Sequence, residues 1–187
     1  MTEMLSHILF MKFKKKIIII PGMGGTSEDE TSTFFKSVLG ESCIIFSPTW
    51  KYRTSKDWVK EYEDFVIEKD LKNFVAFGFS MGAYILACSS VVPDRTVYGS
   101  LSPFFKEYIS SWSSKELDFL GKKRVKDMGV YISKPNSYFL YGEKEDISVL
   151  NISIEKSKNK NVFCIKDSGH DILNKDYINK VISLLES

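Results

Sequence analysis

Gly78-Phe79-Ser80-Met81-Gly82 is the segment of this sequence whose residue types and spacing most directly suggest chemistry. An apolar stretch, Phe74 to Phe77, runs into it and a second apolar stretch leaves it, so the serine falls on a sharp turn from strand to helix. Such a turn strains the serine backbone and brings neighbouring segments close, and the positions two before and two after must therefore lack side chains. The turn exposes the Ser80 hydroxyl beyond the strand, at the positive end of the following helix. A serine hydroxyl attacks a carbonyl only when a base takes its proton. The 187 residues contain only two histidines, His7 and His170, so a neutral imidazole near pH 7 has two candidate sources and a site built from several histidines is nearly excluded.

The elements that must position these groups alternate. Ile17 to Ile20 is an apolar run without polar interruption, as in a central parallel strand covered on both faces, and it ends at Pro21-Gly22. Ser27-Glu28-Asp29-Glu30 has capping-box form ahead of a helix bearing Phe34, Phe35, Val38 and Leu39 up to Gly40. A strand from Cys43 to Phe46 follows. Thr54-Ser55-Lys56-Asp57 then opens a helix with Trp58, Val59, Tyr62, Phe65 and Val66 on one face. Further along come a strand from Asn73 to Phe79, a helix from about Met81 to Val92 and a strand from Arg95 to Ser100. Residues 103–128 read as one or two helices, with starts at Ser102-Pro103 and at Ser113-Ser114-Lys115-Glu116. Strands at Ser137 to Tyr141 and Asn161 to Lys166, a weak helix around Val149 to Lys156 and a final helix with Tyr177, Ile178, Val181, Ile182 and Leu185 complete the chain. The fold expected is α/β: one doubly wound, mostly parallel sheet flanked by helices, over residues 13–187, preceded by an N-terminal extension of residues 1–12 that carries His7.

Composition limits the function classes. With 26 Lys and Arg against 24 Asp and Glu, nothing resembles the basic excess that drives nucleic-acid binding. No apolar run is long enough to span a membrane. Cys43, Cys88 and Cys164 are odd in number and widely spaced among apolar neighbours, the pattern of buried reduced thiols, and Met4 to Phe13 has its lysines behind it rather than in front as a secretory signal would. A cytoplasmic location is therefore expected. The lysines at 12 and 14 to 16 read as a solvated surface beside four isoleucines.

With Gly78-x-Ser80-x-Gly82 between strand and helix, the chain from about Lys14 onward resembles the α/β-hydrolase superfamily in a compact form without a large cap. The resemblance implies a triad in the order serine, acid, histidine. His170, in Asp167-Ser168-Gly169-His170-Asp171 between the last strand and last helix, stands where that family has its base. The acid follows the preceding strand, in Tyr141-Gly142-Glu143-Lys144-Glu145-Asp146. The family's G-x-x-D spacing points to Glu145 and its D-x-x-V continuation to Asp146; Asp146 is the first expectation, because it adjoins the apolar Ile147, and Glu145 the alternative. Asp167 and Asp171 read as cap or surface groups. Pro21-Gly22-Met23-Gly24-Gly25 matches the family's glycine loop, with Pro21 in place of a histidine, which implies oxyanion donors at the N–H of Met23 and of Met81 and methionine side chains along the pocket floor.

A dinucleotide-binding reading of the same glycines fails: the third fingerprint position is Ser27, and no Asp or Glu ends the second strand to hold a ribose. The resemblance thus implies a serine hydrolase acting on a small-molecule acyl substrate, a small carboxylic ester or thioester, through an acyl-enzyme on Ser80, with no cofactor and no metal. An amidase or acyltransferase would use the same triad, and a non-catalytic ligand-binding protein on the same fold is the rival from another class. Phe104, Phe105, Tyr108, Ile109 and Trp112 either line an acyl pocket or pack a helix.

Overall fold

A computed structural model describes residues 13–51, 54–111, 127–158 and 160–186. The expected N-terminal extension with His7, the helix start at Ser113 and Trp112 lie outside the described residues. Six strands form one sheet: β1 (Ile17–Ile20), β2 (Cys43–Ile45), β3 (Val75–Phe79), β4 (Arg95–Gly99), β5 (Ser137–Gly142) and β6 (Val162–Ile165), in the order β2-β1-β3-β4-β5-β6. Every pairing is parallel. The chain winds outward from β1 to β2, returns to β3 and then winds the other way, so the sheet is doubly wound about β1 and β3.

Five helices of the described residues cover the two faces: α1 (Glu30–Leu39), α2 (Ser55–Glu68), α3 (Met81–Cys88), α4 (Ile147–Ser157) and α5 (Lys175–Glu186). Successive strand side chains point to opposite faces, and the four isoleucines of β1 divide accordingly. Ile17 and Ile19 join Phe35, Val38 and Leu39 of α1 and Tyr177, Ile178, Val181 and Ile182 of α5; Ile18 and Ile20 join Trp58, Tyr62 and Val66 of α2, the apolar side of α3 and Ile152 of α4. All four are buried, which is why the run needs no polar alternation.

Local signals explain where elements start. Thr54 and Asp57 make the reciprocal capping box of α2. In α1 the cap is Asp29, whose carboxylate accepts from the Ser32 N–H at 2.7 Å, and Gly40 ends the helix at φ 54°. The expected box at Ser27 is thus shifted by two residues, because an ionised oxygen at Asp29 is the stronger acceptor for the free N–H groups. α3 ends at Cys88, four residues before the expected Val92. Glu63 of α2 accepts from the Ser89 hydroxyl and from both the N–H and hydroxyl of Ser90, while the Lys134 ammonium donates to the Ser89 carbonyl. These bonds draw the chain out of the helix before β-branched Val91 and Val92 and Pro93. Where a helix was expected from Ser102-Pro103, the described residues hold only a 3-10 turn, Lys106–Ser111. Phe105 is fully buried, and Phe104 and Tyr108 pack beside it, which favours packing over pocket lining for these three.

The expectation of three buried thiols is corrected at Cys164, which is exposed; Cys43 and Cys88 are half-buried, and burial pushes their thiols up to about 11 and about 12. Among the described residues β6 is the outer strand of the sheet, and Cys164 on it is open to solvent. Among the described residues no helix is long and apolar enough to cross a membrane.

Candidate active site

Ser80 leaves β3 at φ 54° and ψ −115°, a conformation rare for any residue with a side chain. It is held there by its own backbone: its N–H donates to the Gly99 carbonyl at 2.8 Å, and its carbonyl accepts from the Tyr84 N–H at 3.1 Å. The flanking glycines have the steric role expected. A Cβ on Gly78 would lie 2.4 Å from the Gly82 carbonyl oxygen, and one on Gly82 would lie 2.2 Å from the Ile20 carbonyl oxygen. The turn therefore closes only because α3 begins in direct backbone contact with β1 and β3. Met81 is the first residue of α3, so its N–H belongs to the unpaired first turn at the positive end of the helix dipole.

On the β1 side, the Gly25 N–H donates to the Gly22 carbonyl at 2.9 Å and Gly24 sits at φ 82°. These values describe a type II turn with Met23 at its second position, and the positive φ at the third is what requires glycine there. The side chains depart from expectation: Met81 is 3% exposed within the core rather than on a pocket floor, and Met23, half-buried, packs against the same cluster.

His170 follows β6 and Glu145 follows β5, and the two are joined: His170 Nδ1 lies 2.8 Å from Glu145 Oε1. An ionised carboxylate only accepts, so in the neutral imidazole this bond places the hydrogen on Nδ1 and leaves the lone pair on Nε2. The Glu145 side chain is 1% exposed, against 51% for the imidazole. Its other oxygen, Oε2, accepts from the Gly142 N–H at 3.1 Å, so both oxygens are satisfied where water does not reach. The two loops are sewn together. The Glu143 N–H donates to the Ile165 carbonyl, the Lys144 N–H to the Ser168 carbonyl, and the Asp167 N–H to the Glu143 carboxylate. A Cβ on Gly142 would lie 2.5 Å from the Ser168 oxygen and 2.6 Å from the Gly169 oxygen, so only glycine lets the loops approach this closely.

Asp146, the first expectation for the carboxylate beside His170, is not that partner. It caps α4: its Oδ1 accepts from the Ser148 hydroxyl at 2.6 Å and the Ser148 N–H at 2.8 Å. Those bonds hold its carboxyl below the usual range, and the residue is exposed. The correction has a local cause: an Asp directly before an apolar helix is the preferred acceptor for the free N–H groups of that helix, which turns it away from the histidine. Asp171 accepts from the Leu173 N–H and Asp167 pairs with Lys144, in keeping with cap and surface roles.

Two aromatic residues complete the constellation, and motif spacing gave no signal for either. The Phe79 ring lies 4.8 Å from the imidazole, tilted by 40°, so the residue before Ser80 touches the histidine. Phe79 in turn meets Tyr177 of α5 edge-on at 6.0 Å, and the buried Tyr177 hydroxyl bonds Ser100 Oγ at 2.8 Å and the Leu140 carbonyl at 3.3 Å. Ser80, Glu145 and His170 thus share the carboxyl edge of the sheet, beside the point where the winding reverses, the usual place for a ligand in such a sheet. Among the described residues no group of three or more His, Cys, Asp or Glu could hold a metal ion.

No protein-family model and no curated protein matches the sequence. Solved structures do. Est1E from Butyrivibrio proteoclasticus is 12% identical, with a TM-score of 0.68 over 94% of this chain and 87% of that one. Alpha/beta hydrolase domain-containing protein 10 from mouse is 14% identical, with a TM-score of 0.67 over 93% and 89%. A structure from work on carboxylesterases of Nitrososphaera gargenis is 11% identical, with a TM-score of 0.58 over 91% and 89%. Identities this low carry no activity across, but agreement over nine-tenths of the chain fixes its architecture: the protein has the α/β-hydrolase fold.

Proposed function

We propose that the protein is a serine hydrolase that cleaves a small carboxylic ester or thioester through an acyl-enzyme on Ser80. The observation that carries this reading is the pairing of His170 with a buried carboxylate, Glu145, at 2.8 Å on the same sheet edge as a serine held at φ 54°. Buried carboxylates are costly, and one whose two oxygens are spent on an imidazole and a single backbone N–H is arranged to hold that imidazole.

In the proposed reaction Ser80 Oγ attacks the acyl carbon while His170 Nε2 takes its proton. Glu145 keeps the ring oriented and stabilises the imidazolium. The N–H groups of Met23 and Met81 donate to the tetrahedral oxyanion. Its collapse breaks the bond to the alcohol or thiol, which leaves with the proton from His170. Water then attacks the acyl carbon and gives a proton to Nε2, and the carboxylic acid departs as Ser80 recovers its hydrogen. In this reading the acid is Glu145 rather than Asp146.

The neighbours support the substrate class without defining it: one comes from a study of carboxylesterases, and Est1E has been determined with ferulic acid bound, a carboxylic acid of the kind ester cleavage releases. A fluorophosphonate probe tests the reading, since it phosphonylates only an activated serine. Labelling of the wild type and none of folded Ser80→Ala is expected, followed by turnover of nitrophenyl esters. Folded wild type that stays unlabelled overturns the hydrolase reading and leaves a binding protein on this fold.

A further inference from the structure

The two proposed oxyanion donors differ in how they are held. The Met81 N–H begins a buried helix, whereas the Met23 N–H lies in a loop with three glycines, Gly22, Gly24 and Gly25. A glycine loop loses more conformational entropy on ordering than any other, so a donor placed there is useful only if something outside the loop fixes it. Preorganisation is what makes an oxyanion donor effective.

The fixing contacts come from the segment after β2. The Trp50 indole N–H donates to the Gly25 carbonyl at 2.8 Å, and the Ser47 hydroxyl donates to the same oxygen at 2.8 Å. Both lone pairs of that carbonyl are thereby used. Trp50 is itself anchored: its ring meets Trp58 edge-on at 5.2 Å, and Trp58 is buried in α2. The Trp58 indole N–H donates to the Thr49 carbonyl at 3.1 Å, and Glu61 of α2 accepts from the Thr49 N–H at 3.0 Å and from its hydroxyl at 2.6 Å. A continuous path of hydrogen bonds and ring contacts therefore runs from α2 through Thr49 and Trp50 to Gly25, two residues from Met23. On the far side of the loop, Asp29 accepts from the Thr26 N–H at 2.9 Å, so the turn is gripped at both ends of the Gly25-Thr26 peptide.

We propose that Trp50, assisted by Ser47, is a positioning residue that clamps the Gly22–Gly25 turn and so fixes the Met23 N–H for the oxyanion. The catalytic consequence rests on the hydrolase reading; the clamp does not. The test uses Trp50→Phe, which keeps a ring against Trp58 and removes only the donor, and Ser47→Ala, which removes the second donor from the other side. Amide hydrogen exchange should show faster exchange at Met23 to Gly25 in each variant, and most in the double variant. With a nitrophenyl ester, kcat should fall about threefold to tenfold for each single variant, the worth of one neutral hydrogen bond. KM and the pH profile should stay unchanged, because neither the ground-state contacts nor His170 is touched. Unchanged exchange in the double variant overturns the clamp. Faster exchange with unchanged kcat overturns the positioning role. A wild type without Ser80-dependent labelling removes the hydrolase reading and the positioning role with it, and exchange then still decides on the clamp.

Discussion

Glu145→Gln set against Asp146→Asn asks which carboxylate serves His170, and the structure fixes the size of the answer. In the proposed reaction the imidazole gains its charge as Ser80 loses its proton, so a carboxylate beside Nδ1 stabilises the transition state more than the ground state. Opposite charges about 4 Å apart attract by about 4 kcal/mol at an effective dielectric near 20. The ring is half-exposed and solvent screens part of that attraction, so about 2 kcal/mol is the lower bound. The glutamine variant should therefore lose between about 30-fold and about 1000-fold in kcat, toward the larger figure if the amide turns its NH2 to Nδ1 and selects the wrong tautomer. Asp146→Asn should stay within about twofold of wild type and fold as well, because asparagine caps a helix about as well as aspartate. Turnover of a nitrophenyl ester at saturating substrate measures both, with thermal melts as the control for folding. Loss of turnover in Asp146→Asn with Glu145→Gln fully active would refute the assignment of the acid and the inference from burial behind it.

Three further outcomes follow from packing and charge. Gly142→Ala places a Cβ 2.5 Å from the Ser168 oxygen, so it should separate the loops of Glu145 and His170, lower kcat at least 10-fold and cost about 1–3 kcal/mol of stability in a denaturant melt. Burial lowers Lys134 to about 8, below its unfolded value. A depressed lysine is penalised in the fold while charged and relieved once neutral, so the stability of wild type relative to Lys134→Met should rise as pH climbs from about 8 toward 10.5; melts at several pH values show it, and a flat difference argues against the burial of this ammonium. Lys156 of α4 sits among the rings of Phe105, Tyr108 and Tyr131 and pairs with Glu107 at 3.0 Å. Lys156→Gln should cost about 1–2 kcal/mol of stability and leave Ser80 labelling unchanged, since the contacts hold α4 to the segment after β4 and not to the site.

What could be read from the sequence divides along the range of the forces involved. The Thr54 capping box, the Gly40 helix end and the close approach of Gly78 to Gly82 are local requirements, met by residues within four positions of one another, and each reappears in the structure. The end of α3 is set by Glu63, more than 25 residues away, and so carried no local signal. The exposure of Cys164 depends on β6 being an outer strand, which its apolar neighbours Phe163 and Ile165 do not disclose. The choice between Glu145 and Asp146 lay between the two cases. Asp146 precedes an apolar helical run and stands two before Ser148, a capping signal present in the sequence, whereas the burial of Glu145 arises only when the loops after β5 and β6 meet. The grip of Trp50 on Gly25 spans two strands and had no sequence precursor.

The separation of the strands explains why the histidine loop is built as it is. β3 and β6 lie three places apart in the sheet, about 14 Å at about 4.8 Å per spacing, yet the His170 ring after β6 meets Phe79 of β3. His170 stands five positions after Ile165, and the loop between them begins with a turn rather than an extended run: the Ser168 N–H donates to the Ile165 carbonyl at 3.4 Å and Asp167 sits at φ 58°. A loop that leaves its strand through a turn keeps its direction only with lateral ties. It has them at each stage: Ile165 and Ser168 accept from the N–H groups of Glu143 and Lys144, and Asp167 donates to Glu143. Glu145 then takes Nδ1, and Phe79, the residue before Ser80, meets the ring at 4.8 Å. The turn after β5 therefore does more than supply the carboxylate beside His170. Because β5 stands between β4 and β6, its turn is the support on which the histidine loop leans toward β3, and Gly142 is the residue that lets the two chains lie close enough to share it.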